Sequence, residues 1–167
     1  PAAKDAFIKA AEIAKNAGRK VALSLSDSFC VNRHRESFVK LVRNHIDILF
    51  ANEDEIKALY KTSSLNTAIE ELKKTCDLAA ITIGKKGSIL ISSGKEINID
   101  PFIFGKAIDT TGAGDLYAGG FLKGLADGLK PEISARIGSI CAGHIVTQLG
   151  SRSNTDLLNL ISSHLEP

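Results

Sequence analysis

The run Asp109-Thr110-Thr111-Gly112-Ala113-Gly114-Asp115 combines residue types that could hold an anion and move a proton beside it. An extended segment passes here through two glycines into a helical pattern at Leu116 to Phe121. The first amides of a new helix have no internal acceptors. Gly112 and Gly114 free the backbone from Cβ restrictions, so the amides of Gly112, Ala113 and Gly114 can converge on one anion, and the helix dipole adds positive charge. Such a cradle suits a phosphoryl group whose charge peaks during transfer. Asp115, in the first turn, is placed to accept a proton from an attacking hydroxyl. The plainer reading is an ordinary capped helix, because acids favour first turns and glycine-rich turns occur without ligands.

Three further clusters carry similar alternatives. Asn52 and Glu55 follow the apolar stretch Asp47 to Ala51 and share one helical face. They read either as a helix cap with acids in the first turn or as a pair orienting water around a magnesium ion. Thr82-Ile83-Gly84-Lys85-Lys86-Gly87 suits a hairpin turn, and equally a loop whose backbone passes close to a nucleotide. Gly138, Ala142 and Gly143 thin one part of a long helix, either for close helix packing or to admit an adenine ring.

The elements that must position these clusters alternate along the chain. Helical spacing covers Ala3 to Ala17 with Gly18 as its stop, then Arg33 to Asn44, Asn52 to Tyr60 and Leu65 to Thr75. Strands are expected at Val21 to Leu25, Asp47 to Ala51, Leu78 to Gly84, Ser88 to Ile91 and Glu96 to Ile99. The polar stretch Ser24 to Phe29 lies at a strand C-terminus, where open α/β sheets place ligands, and reads as well as a capping turn. Asp115 to Ala126 is helical with Gly128 after it, and Pro131 opens a helix running to about Leu149. Thr155 is expected to cap a last helix ending near His164.

The 167 residues are enough for one domain with a real core, and 44% hydrophobic with 24% charged residues is globular composition. A net charge of +2, spread without a basic stripe, gives no support to nucleic-acid binding. No apolar run is long enough for a membrane span, and no signal peptide opens the chain. Cys30, Cys76 and Cys141 lack paired metal spacing and read as reduced thiols of a cytoplasmic protein. His144 reads as a packing residue. There is no methionine, and Pro1-Ala2-Ala3 leads directly into a helix, so a fragment is expected.

Asp109 to Asp115, with the small residues Ala118, Gly119 and Gly120 behind it, closely resembles the C-terminal signature of the PfkB (ribokinase-like) carbohydrate and nucleoside kinases. Asn52-x-x-Glu55 and Thr82-x-Gly84-x-x-Gly87 resemble two more of that family's motifs, in the family's order. Ser24 to Phe29, Ile46 to Glu53 and Arg136 to Gly143 look most like adenosine-kinase-type members. The resemblance implies the ribokinase-like three-layer α/β/α fold with a mostly parallel central sheet, present as its C-terminal part over residues 1–167. It implies that Asp115 is the base, that the amides of Gly112, Ala113 and Gly114 form the anion hole, and that Asn52 and Glu55 serve ATP and Mg2+. Thr82, Gly84, Gly87 and Gly138 would lie along the nucleotide. Asp109, Thr111 and the Gly150 loop correspond to a monovalent-cation site, for K+, in some members, although the Ser-Arg-Ser-Asn that follows Gly150 departs from it.

The implied reaction is transfer of the γ-phosphoryl group of ATP to a hydroxyl of a nucleoside or sugar. Family members are about twice this length, and their N-terminal half holds most substrate contacts. The expectation is therefore a nucleotide-binding and catalytic-base half that pairs with the missing half or forms a homodimer. The competing expectation is a non-catalytic nucleotide-binding or assembly module, against which the retained Asp115 argues. A dinucleotide-dependent oxidoreductase is disfavoured, because the glycines do not follow a first strand as Gly-x-Gly-x-x-Gly.

Overall fold

A computed structural model describes residues 2–165, the side chains of residues 4–165 among them. Five strands, β1 (Ala22–Ser24), β2 (Ile48–Asn52), β3 (Leu78–Thr82), β4 (Ser88–Ser92) and β5 (Lys95–Ile99), are hydrogen-bonded in chain order. Seven helices accompany them among the described residues: α1 (Ala2–Asn16), α2 (Ser28–His45), α3 (Glu53–Tyr60), α4 (Leu65–Lys73), α5 (Ala113–Ala126), α6 (Pro131–Ile145) and α7 (Leu157–His164). The chain divides into two compact units, one of Pro1–Ile81 with Ile91–Lys95, the other of Thr82–Leu90 with Glu96–Pro167.

In the first unit β1 and β2 pair in parallel, with Ala22 opposite Ile48 and Ser24 opposite Phe50. A parallel pair needs a crossover, and α2 supplies it. Ile48, Leu49, Phe50 and Ala51 are all buried, the continuous apolar run of a strand covered on both faces. The amphipathic helices complete the core with Val31, Val42, Ile56, Leu59, Ile69 and Leu72. Asp47 fastens the entry to β2. Its carboxylate accepts the Val21 amide at 2.7 Å and pairs with Lys15. Burial opposes its ionisation, but Lys15 and the Val21 amide outweigh that and hold its pKa below the ordinary value.

Most boundaries of this unit fall within two residues of the sequence reading, and the start of α2 departs furthest. The helix expected from Arg33 starts at Ser28, because the Asp27 carboxylate caps it by accepting the Phe29 amide at 2.8 Å. The polar stretch Ser24 to Phe29 is thus a capping turn, and the helix bends at His34, where φ is −121°.

In the second unit the buried faces of α5 and α6 pack closely. A Cβ on Gly120 would lie 3.0 Å from Ile137 O, and one on Gly124 would lie 2.7 Å from Ser134 Oγ. Phe121, Ile137, Ile140 and Ile145 fill the remaining interior. Two ends are corrected. The helix that Pro131 opens stops at Ile145 rather than near Leu149, and Asp156, not Thr155, caps the last helix by accepting the amides of Leu158 and Asn159. One oxygen, Oδ1, accepts both amides, and Oδ2 accepts Asn159 Nδ2 at 2.9 Å. No helix among the described residues is long and apolar enough to cross a membrane.

Candidate active site

The second unit contains a cleft of about 510 Å³. One wall is the turn after β3. Gly84 (φ 60°) and Gly87 (φ 90°) bracket a single 3₁₀ turn, which the Gly87 amide closes onto Gly84 O at 3.1 Å. A Cβ on Gly87 would lie 2.1 Å from Ile99 O, so only glycine lets the loop come this close to the segment leaving β5. Thr82, Gly84 and Gly87, three of the residues expected along a nucleotide, all line the cleft. Lys85 lines it too and is the one charged side chain among the lining residues.

A second wall is the start of α5. Gly112 is its N-cap in the left-handed region (φ 78°), and a Cβ there would meet Ser151 Cβ at 2.6 Å. Helix geometry begins at Ala113, two residues before the sequence reading, because the glycine turn is tighter than an extended approach. Ala113 and Gly114 line the cleft. The Ala113 amide already donates to Thr110 O at 3.2 Å, whereas Gly114 and Asp115, in the first turn, have no intrahelical acceptor by position. Of the three amides expected to form the anion hole, Ala113 is therefore partly engaged. Asp115 is solvent-exposed in the first turn of α5.

Behind this wall Tyr117 is buried, with its phenol 2.8 Å from Ser88 Oγ on β4. Burial pushes the Tyr117 pKa up to about 12, with the Ser88 hydrogen bond working the other way. Tyr117 stays neutral and serves as a fixed floor for the cleft.

The remaining wall comes from α6 and the segment after β5. Ala142 and Gly143 line the cleft, as the adenine alternative requires. Gly138 does not line it. A Cβ on Gly138 would lie 2.7 Å from Tyr117 O, so this glycine serves the contact between α5 and α6 instead. Gly143, by contrast, lines the cleft while also admitting the Phe102 carbonyl, whose oxygen would lie 1.9 Å from a Cβ there.

Asp109 closes the loop ahead of α5. Its carboxylate accepts the Thr111 amide at 2.9 Å and the Gly150 amide, 41 residues away, at 2.9 Å. The Thr111 hydroxyl and these two amides hold its pKa below the ordinary value. Each carboxylate oxygen takes one amide, so Asp109 fastens the Gly150 loop to the turn ahead of α5.

Asn52 and Glu55 lie in the first unit and form a reciprocal capping box. Asn52 Oδ1 accepts the Glu55 amide at 2.9 Å, and Glu55 accepts the Asn52 amide at 2.9 Å and Asn52 Nδ2 at 2.8 Å. Glu55 is buried, and that burial raises its pKa against the pull of the Asn52 amide, with Asp27 and Asp54 adding to the rise. Both Glu55 oxygens are engaged, so the pair fits a role through water better than direct ligation. Among the described residues no group of three or more His, Cys, Asp and Glu is placed to hold a metal ion. That is compatible with Mg2+, which commonly arrives on nucleotide phosphates and keeps most of its waters.

The sequence reading missed Ser139 and Thr110 as cleft residues, and it took Pro101 only as a break. Ser139 left one signal, a serine within the apolar run of α6 from Ile137 to Cys141.

Comparison with known proteins shows the family and the fold. Residues 1–157 match the pfkB family carbohydrate kinase family. The chain is 31% identical over 132 residues to a nucleoside kinase of Methanocaldococcus jannaschii, covering 79% of this chain and 43% of that protein. Its structure is similar to that of an adenosine kinase from Sinorhizobium meliloti, with a TM-score of 0.93, 41% identity, and coverage of 98% of this chain and 50% of that one. A ribokinase from Thermotoga maritima is also similar, at a TM-score of 0.76 and 26% identity, with coverage of 94% and 52%. The chain spans about half the length of these relatives. The fold is ribokinase-like, three-layer α/β/α around a mostly parallel sheet. The chain belongs to the pfkB family of carbohydrate kinases.

Proposed function

We propose that this chain is the nucleotide-binding and proton-accepting part of an ATP-dependent kinase that phosphorylates a hydroxyl of an adenosine-like nucleoside or a sugar. The observation that carries the reading is the cleft itself, which joins the Thr82 to Gly87 turn, the glycine-rich start of α5 and the small-residue face of α6. An apolar slot beside Ala142 and Gly143 suits a base, and a first helical turn suits a polyphosphate.

In this reading the Gly114 and Asp115 amides hold the transferring phosphoryl group, with Gly112 permitting the turn that aims them. Lys85, on the turn after β3, adds positive charge to the lining. Asp115 accepts the proton of the acceptor hydroxyl as its oxygen attacks phosphorus, and ADP leaves with the electrons of the broken phosphoanhydride bond. Mg2+ bound to the phosphates would supply charge neutralisation. The acceptor site is proposed to be completed by the half of the fold that the relatives have and this sequence does not span, supplied in one polypeptide or by a second chain.

The test is an ADP-release screen with Mg-ATP against nucleosides, pentoses and hexoses, using the 167-residue chain and any longer polypeptide that contains it. Acceptor-dependent ADP release that Asp115→Asn lowers by about 10²–10⁴-fold, with ATP affinity kept, is expected. ATP binding without turnover by the longest natural polypeptide would favour the non-catalytic module. Turnover unaffected by Asp115→Asn would remove that residue as the base.

A further inference from the structure

The segment leaving β5 is held from two sides. On one side, the missing side chain of Gly87 lets the loop touch Ile99 O and Pro101 N, which would lie 2.1 Å and 2.9 Å from a Cβ. On the other, the missing side chain of Gly143 admits the Phe102 carbonyl, whose oxygen would lie 1.9 Å from a Cβ there. Between these contacts a single hydroxyl makes two bonds. Ser139 Oγ donates to Asp100 O at 2.9 Å and accepts the Phe102 amide at 3.0 Å. A hydroxyl carries one donor and can accept, so Ser139 matches both backbone groups at once. Pro101, between them, has no amide to satisfy. Ser139 is 6% exposed, and Pro101, Phe102 and Ser139 all line the cleft.

We infer that Ser139 is a positioning residue of the nucleotide site, pinning the Asp100 to Phe102 segment to α6 and so fixing the width of the slot that takes the base. The inference rests on the reading of this cleft as the nucleotide site. A second buried serine of the same helix shows the contrast. Ser134 Oγ donates to Lys130 O at 3.0 Å, a bond within its own helix, and Ser134 is not on the cleft. Losing Ser134 removes a local bond. Losing Ser139 leaves a carbonyl and an amide of the cleft wall without their shared partner, and the segment gains freedom that ATP must remove on binding.

The experiment is ATP binding by isothermal titration calorimetry for the 167-residue chain and its Ser139→Ala, Ser139→Cys and Ser134→Ala variants, each also melted thermally. Amide exchange of the unsubstituted chain is followed with and without ATP. The expected result is about tenfold weaker ATP binding for Ser139→Ala, an intermediate loss for the weakly hydrogen-bonding cysteine, and Kd within about twofold for Ser134→Ala. The Phe102 amide of the unsubstituted chain should gain protection when ATP binds, a readout that survives even if Ser139→Ala does not fold. Unchanged affinity in Ser139→Ala, or no ATP-dependent protection at Phe102 in a chain that binds ATP, overturns the positioning role alone. No ATP binding by the unsubstituted chain overturns the nucleotide reading and this inference with it.

Discussion

The phenol of Tyr117 and the hydroxyl of Ser88 lie 2.8 Å apart in the interior of the second unit, tying the helix that carries Asp115 to the strand that follows the Gly84 to Gly87 turn. Two cleft walls therefore share one buried polar contact. Removing one partner strands the other, whereas removing both leaves nothing unsatisfied. Tyr117→Phe should lower stability by about 1–2 kcal/mol, and Ser88→Ala with Tyr117→Phe should recover part of that loss. Urea titrations of the two single variants and the double variant check this, and additive losses would mean the hydroxyls do not couple.

Gly112 occupies the left-handed region with Ser151 Cβ 2.6 Å from where its own Cβ would stand. Gly112→Ala meets both the backbone penalty and that clash, and it should cost about 1–3 kcal/mol. Because the same turn aims the Gly114 and Asp115 amides, ATP affinity should fall more in this variant than in Gly128→Ala. Gly128 also has a positive φ of 79°, but a Cβ there would meet nothing within 4 Å. Equal ATP affinities in the two variants would separate the turn from phosphate binding.

Lys85 is the charged lining side chain of the cleft, and Lys86 beside it is not on the lining. Lys85→Ala should raise the ATP Kd by about 3–10-fold at low salt, with the difference shrinking as salt screens the charge. Lys86→Ala should change it by less than about twofold. The measurement is a salt series of ATP titrations, and identical behaviour of the two lysines would remove Lys85 from the phosphate end.

The Asp109 carboxylate binds the Gly150 amide, and its pKa is held below the ordinary value by the Thr111 hydroxyl and the two amides. A depressed carboxylate stabilises the closed loop above its unfolded pKa and loses that effect as pH falls through its folded value. The Gly150 amide resonance should therefore titrate at a pH below the ordinary aspartate range, and Asp109→Asn should abolish the titration. A Gly150 resonance flat from neutral pH to below that range would place the closure elsewhere.

Local chemistry made much of this protein legible from sequence. The Asn52 and Glu55 capping box lies within four residues, so its reciprocal bonds follow from residue type and helical spacing. The glycines at 84, 87 and 112 mark turns for the same reason, since each adopts a positive φ. The continuous apolar run from Ile48 to Ala51 likewise announced a strand buried on both faces. Tertiary structure decided what depends on groups far apart in the chain. Gly138 and Gly143 look alike in sequence, yet one meets Tyr117 and the other Phe102, so only the second borders the cleft. Asp109 reaches Gly150 across 41 residues, and Ser139 reaches Phe102 across 37. Sequence spacing fixes which face of a helix a residue occupies, but the backbone that packs against that face is set by the whole fold.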